Sequence, residues 1–224
     1  MAIHLKNGKF ILKDFCQVAK CTLPDLVADN STIQDGVVFT PDRLKKEEDY
    51  KMSIQQLHMR KTNMENLPPL SLPYGISLQS HIEGMEPEWE TLIEDAFGQH
   101  FSFKDCIINA GGYKPEYVLY LRKDGELIAT TTAVEKDIFP NEGWFRMVGV
   151  SPKARGLGAG RLVALAALHS LAARGYKSVV LSTDDDRIPA LSLYLSLGFE
   201  PIIFDDEHKE RWERVMHVLN NRKG

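Results

Sequence analysis

From residue 74 onward the hydrophobic pattern changes period segment by segment. Residues 76–82 (ISLQSHI) alternate apolar with polar side chains, as a half-buried strand does. Behind Pro87, the residues Trp89, Leu92, Ile93, Ala96 and Phe97 recur at i, i+3, i+4, i+7 and i+8, the stripe of one helix face, and Gly98 closes it. Residues 101–110 predict a second short helix ended by Gly111-Gly112. Two strands are expected at 116–122 and 126–135 around Lys123-Asp124-Gly125, because Asp-Gly between alternating runs signals a hairpin. There follow a strand over Gly143–Val150, a glycine-rich turn, a helix over 157–174 and a strand over 178–183. A helix over 188–197 and strands over 199–204 and 213–219 complete the pattern. A hairpin followed by β-loop-α-β-α-β-β predicts an α/β fold, a mixed sheet with helices on both faces.

Residues 1–73 have a different texture. Residues 9–13 (KFILK) and 36–39 (GVVF) are strand candidates and 42–49 (DRLKKEED) a polar helix candidate, with little sustained periodicity between them. The stretch ends in Leu67-Pro68-Pro69-Leu70-Ser71-Leu72-Pro73, whose prolines forbid a helix and favour an extended connection. The expectation is an N-terminal extension, 1–73, packed on a main domain, 74–224.

Composition narrows the function without naming it. A chain of 224 residues, 43% apolar and 26% charged, with a net charge of −4, is ordinary globular material and offers no basic field for nucleic acid. No run approaches the roughly 18 apolar residues of a membrane helix, and the first ten residues lack a signal-like apolar core. A cytoplasmic protein with no membrane partner is expected. Cys16, Cys21 and Cys106 make an odd number without zinc spacing, so reduced thiols and no metal are expected.

The chemistry concentrates after the strand that ends at Val150. Ser151-Pro152-Lys153-Ala154-Arg155-Gly156-Leu157-Gly158-Ala159-Gly160-Arg161 leads into 162–173, where only His169 and Ser170 are polar, the mark of a buried helix. A strand, a glycine turn and a helix start form a device for binding phosphate, because glycines let the backbone approach and the unpaired helix amides face the anion. Close packing alone is the bland alternative. No Lys-Ser or Lys-Thr follows the glycines, which excludes a P-loop. A dinucleotide fingerprint is a near miss: the glycines run Gly156-x-Gly158-x-Gly160 with Arg161 next, although Asp184 after the following strand imitates a ribose-binding acid.

Arg155-Gly156-Leu157-Gly158-Ala159-Gly160 resembles the R/Q-x-x-G-x-G/A element of the GNAT superfamily of N-acetyltransferases, preceded by Val148, Val150 and Pro152 in a Val-x-Val-x-Pro strand end. Downstream, 189–201 (PALSLYLSLGFEP) resembles that family's A-x-x-L-Y-x-x-x-G-F signature. The resemblance covers roughly 74–219. It implies the GNAT acyl-CoA N-acyltransferase fold and acetyl-CoA as cosubstrate, with no metal. It implies that Gly156, Leu157, Gly158, Ala159, Gly160 and Arg161 cradle the coenzyme pyrophosphate, with Arg155 beside them. It further implies that the main chain of Met147, Val148 and Val150 pairs with the pantetheine arm and that the Val148 N–H stabilises the oxyanion. Arg187 stands at the offset where many relatives carry a donor-contacting Asn. Arg155, Arg161 and the acidic run 184–186 have a plainer reading as solvated residues.

Tyr194 stands where the family places its general acid, the proton source for the departing thiolate. Its plainer reading is a core tyrosine beside Leu193 and Phe199. The base that would deprotonate the amine is open: His81, Glu135 and Glu142 lie near strand ends, and residues 144–147 (WFRM) lack the carboxylate often found there. The expected acceptor is a small-molecule or peptide amine, bound by residues 86–113, and a homodimer is compatible with the sequence. Two alternatives stay open, a noncatalytic acyl-CoA-binding module of the same fold and an NAD-type dinucleotide enzyme.

Overall fold

The computed structural model describes residues 5–6, 9–10, 32–34, 37–39, 56–135 and 141–221, with the backbone alone before residue 51 and at Glu135. The chain divides into two units, Met1–Tyr50 and Lys51–Gly224. The first contains two short antiparallel hairpins, β1 (Leu5–Lys6) with β2 (Lys9–Phe10) and β3 (Thr32–Gln34) with β4 (Val37–Phe39). The expected polar helix at 42–49 lies outside the described residues.

The second unit is built on a seven-stranded sheet. Its strands are β5 (Leu57–Lys61), β6 (Ile76–Ser80), β7 (Val118–Lys123), β8 (Glu126–Glu135), β9 (Gly143–Val150), β10 (Val179–Thr183) and β11 (Glu200–Ile202), in the spatial order β11-β5-β10-β9-β8-β7-β6. Only β9 and β10 run parallel; the other neighbours are antiparallel. This is the expected mixed sheet, with one strand that the sequence pattern did not announce. Leu57–Lys61, counted above within the extension, is an interior strand paired with both β10 and β11.

Helices cover both faces. Helix α1 (Glu86–Phe97) buries Trp89, Leu92 and Ile93 against Phe103, Ile107, Val118 and Tyr120, and ends in the left-handed Gly98, whose N–H donates to the Glu94 carbonyl. The next turn, Lys104–Ile108, is π-type: the Asn109 N–H reaches back to the Lys104 carbonyl. On the other face α2 (Ala159–Ala173) buries eight residues, matching its nearly all-apolar sequence. Helix α3 (Ile188–Ser196) joins it in a core with Phe145, Leu181 and Phe199.

The expected last strand, 213–219, is instead part of a helix, α4 (Asp206–Asn221). Its buried residues are His208, Trp212, Val215 and Leu219. These positions are four, three and four apart, one stripe of a helix.

Candidate functional site

Two backbone features open the sheet at its centre. The first is a bulge in β9. Thr132 pairs with Arg146 but Thr130 pairs with Gly149, so three steps along β9 oppose two along β8. Within it Met147 takes a positive φ of 52°, which a side chain other than glycine rarely adopts, and the Thr131 hydroxyl donates to the Arg146 carbonyl, fixing the bulge from the neighbouring strand.

The second is the parting of the two parallel strands. β10 pairs with β9 only at Val179 with Gly143 and Val180 with Trp144. Beyond Trp144, β9 runs on to Val150 and β10 to Thr183 with no ladder between them. The backbone groups facing this gap are free to pair with an extended ligand arm, as a strand would. Val148 and Val150 lie on this length of β9 with side chains packed toward the α2 face, so their main chain is the part offered to a ligand.

The gap leads to the glycine turn. Gly156 and Gly158 have φ of 82° and 74°, and a Cβ on either would meet nothing within 4 Å, so both face open space. Gly158 caps α2 without any side-chain cap, and the Leu162 N–H makes the first bond back to it, to the Gly158 carbonyl. The amides of Ala159, Gly160 and Arg161, the first turn of α2, therefore point out of the helix end at its positive pole, whereas the Leu157 N–H is taken by the Ala154 carbonyl. Gly160 differs from the other two: it faces inward, against Val150 and Leu193. Ala159 is buried, whereas Arg155, Leu157 and Arg161 are exposed, and Arg161 reaches the Ser196 hydroxyl at 3.2 Å. A parted strand pair running into an open, uncapped helix start fits an extended molecule with a phosphate group, and acetyl-CoA is one.

Tyr194, on α3, lies in the core on the α2 face. It is 5% exposed and packs edge-on against Phe145, ring centres 5.7 Å apart. Burial pushes its phenol pKa up, while the positive charge of Arg187 opposes that shift. Arg187 itself is tied to Asp184, which also accepts a hydrogen bond from Gln56 on the approach to β5.

The three base candidates separate. Glu142 is held by Arg60 and Ser178, a structural ion pair at the start of β9. The side chain of Glu135 lies outside the described residues. His81 is 5% exposed, stacked on Phe103, with Nδ1 2.9 Å from the Tyr120 hydroxyl and Nε2 3.2 Å from Glu86. Its N–H bonds to the Val118 carbonyl, and Val118, Thr132 and Arg146 form one cross-strand row. His81 thus stands three strand spacings, about 14 Å, from β9. Sequence reasoning passed over Arg146, whose environment becomes visible only once α1 is packed on the sheet.

No group of three or more His, Cys, Asp or Glu able to hold a metal occurs among the described residues. No helix among them is long and apolar enough to cross a membrane. Cys106, on the π-type turn, is a free thiol whose pKa burial pushes up.

Comparison with known proteins agrees with this geometry. The sequence profile of the Acetyltransferase (GNAT) family matches residues 79–199. The chain is 33% identical to a mycothiol acetyltransferase of Thermomonospora curvata over 153 residues, 64% of this chain and 50% of the relative. It is 32% identical to that of Paenarthrobacter aurescens over 145 residues, 59% of this chain and 45% of the relative. It therefore spans about half the length of these curated relatives. Among solved structures, a GCN5-related N-acetyltransferase from Sphaerobacter thermophilus superposes with a TM-score of 0.54 at 23% identity, covering 70% of this chain and 53% of that one. With the family profile matching more than half of its residues, the chain belongs to the acetyltransferase (GNAT) family.

Proposed function

We propose that this chain transfers the acetyl group of acetyl-CoA directly to the primary amine of a small-molecule acceptor, with Tyr194 as general acid. The observation that carries this reading is the gap between β9 and β10, opened beyond Trp144 and Val180 and leading to the outward-facing Gly156 and Gly158. The amides of Gly156 and of Gly158 to Arg161 hold the pyrophosphate, the Leu157 N–H being taken by the Ala154 carbonyl, and the main chain of Met147, Val148 and Val150 pairs with the pantetheine arm. The Val148 N–H donates to the carbonyl oxygen where negative charge gathers. Arg155 and Arg187, each in the loop that follows one of the two parallel strands, add positive charge beyond the open end of the gap.

Tyr194 holds its proton at neutral pH, because burial raises its pKa. The same dry surroundings raise the basicity of a thiolate that leaves beside it, which offsets the weaker acidity that burial gives the phenol. The amine must arrive neutral or lose its proton on arrival, since an alkylammonium has a pKa of roughly 10. His81, held between Tyr120 and Glu86, can accept that proton only through water at its distance from β9. The relatives' name, mycothiol acetyltransferase, puts small-molecule acceptors ahead of protein N-termini in the order of testing.

The test is release of free thiol from acetyl-CoA in the presence of an amine panel. Acetylated product and stoichiometric thiol are expected. Binding of acetyl-CoA without turnover of any amine would identify a noncatalytic acyl-CoA-binding module instead.

A further inference from the structure

The bulge interrupts the alternation of β9 and so turns two consecutive side chains, Arg146 and Met147, to the α1 face. Met147 packs there against the buried cluster under α1, and Arg146 sits in the row of Thr132 and Val118, the latter buried in the same cluster. Arg146 is half-buried. Among the described residues its guanidinium makes no ion pair and no hydrogen bond. Burial pulls its pKa below the ordinary value, and Cys106 is the one group opposing that shift.

Two neighbours share this lack. Thr132, directly opposite Arg146 in the ladder, carries a buried hydroxyl without a partner among the described residues, and the fully buried Trp89 on α1 carries an indole N–H in the same condition. A guanidinium and, directly across the ladder from it, a buried hydroxyl thus lie on one face of the sheet without acceptors among the described residues. Natural proteins rarely leave buried donors so, and a half-buried charge without a partner costs stability.

Position says what an anion there would belong to. On the acetyltransferase reading the acetyl donor lies in the gap between β9 and β10, and Tyr194 packs on the α2 face of the sheet against Phe145 of β9. The acceptor amine must then approach Val148 from the α1 face, where Arg146 stands two residues away. Resting on the acetyltransferase reading above, we propose that Arg146 binds a carboxylate carried by the acceptor close to its amine, so that the acceptor is an amino acid or a molecule with a free amino-acid head group. The planar guanidinium fork suits a carboxylate held in two hydrogen bonds. Its charge also disfavours the ammonium form of an amine beside it, which helps deliver the neutral nucleophile.

The experiment uses the full chain saturated with coenzyme A, and measures binding of phenylalanine, leucine and lysine against their decarboxylated counterparts phenethylamine, isoamylamine and cadaverine. At least one amino acid should bind tighter than its amine by about tenfold or more, and Arg146→Met should bring that ratio to near one, while Arg146→Lys keeps part of it. Without ligand, Arg146→Met should melt about 2–4 °C higher than the parent chain, because it removes an unpaired charge. Equal binding of acid and amine, binding of neither set, or an undiminished ratio in Arg146→Met overturns the proposal. A lower melting temperature for Arg146→Met also overturns it, by making the residue structural. If coenzyme A itself gives no stabilisation, the acetyltransferase reading fails separately, and the same acid and amine arms on the free chain still decide the role of Arg146.

Discussion

The guanidinium of Arg187 lies over the ring of Phe97, 4.4 Å from its centre. That contact joins the loop after β10 to the last turn of α1, a helix packed on β9, and so spans the two diverging strands. Replacing Arg187 by Ala removes the cation–π contact, about 0.5–1 kcal/mol at a partly exposed site, and leaves Asp184 with Gln56 alone. A drop in melting temperature of about 1–4 °C is expected, together with a lower kcat, because the charge that offsets the burial of Tyr194 is gone. An unchanged kcat would confine Arg187 to joining the two elements.

Acetyl-CoA at 100 times its dissociation constant should stabilise the chain by about 2.7 kcal/mol, a melting shift of about 5–10 °C. Gly158→Asp should abolish the shift, because it places a side chain and a negative charge where the phosphate must sit and strains a backbone at φ 74°. Differential scanning fluorimetry checks this; an equal shift in the variant would move the ligand elsewhere.

Tyr194→Phe keeps the ring against Phe145 and deletes the phenolic proton. It should lower kcat by roughly 10²–10⁴-fold with little change in coenzyme A affinity. Steady-state kinetics within about threefold of the parent chain would make Tyr194 a packing residue.

Gly149 is set by close approach rather than by φ. A Cβ there would lie 2.6 Å from the Ile93 Cδ1 and 3.0 Å from the Leu92 Cδ2. Gly149→Ala should therefore displace the ends of the Ile93 and Leu92 side chains under α1, at a cost of about 1–3 kcal/mol. Melting should fall by about 2–12 °C, with a larger loss of acceptor turnover than of coenzyme A binding.

Asp205 precedes α4 and accepts the His208 N–H and the His208 ring Nδ1, both at 2.8 Å. The His208 backbone bond is the main reason its pKa lies below the ordinary value. A carboxylate with a depressed folded pKa contributes its stability above the unfolded value, about 3.9, and loses it as pH falls through the folded one. Asp205→Ala should cost about 1 kcal/mol at neutral pH, as loss of a helix cap does. The gap between variant and parent should close below about pH 4, as equilibrium unfolding across pH 2–7 would reveal.

Legibility followed from whether a signal was local. The strand at 76–80 and helix α1 declare themselves by period, and the glycine turn by spacing. β5 carries no such signal: Leu57, His58 and Met59 are consecutive and all fully buried, because an interior strand is covered on both faces and does not alternate. α4 was misread because seven residues are too short a window to separate periods of 2 and 3.6 when the buried stripe begins upstream at His208. The bulge at Met147 and the lack of partners around Arg146 depend on β8 and α1, and no inspection of residues 144–147 alone reveals them.

The interior position of β5 bears on synthesis as well as on structure. Both of its partners, β10 and β11, lie more than a hundred residues further along the chain. As the polypeptide leaves the ribosome, β5 therefore waits with both hydrogen-bonding edges open while most of the sheet is still being translated. An unpaired strand of this kind can template association with another chain. The chain thus depends on what shields residues 57–61 during that interval, and a polypeptide begun at residue 74 would lack the strand on which β10 and β11 meet.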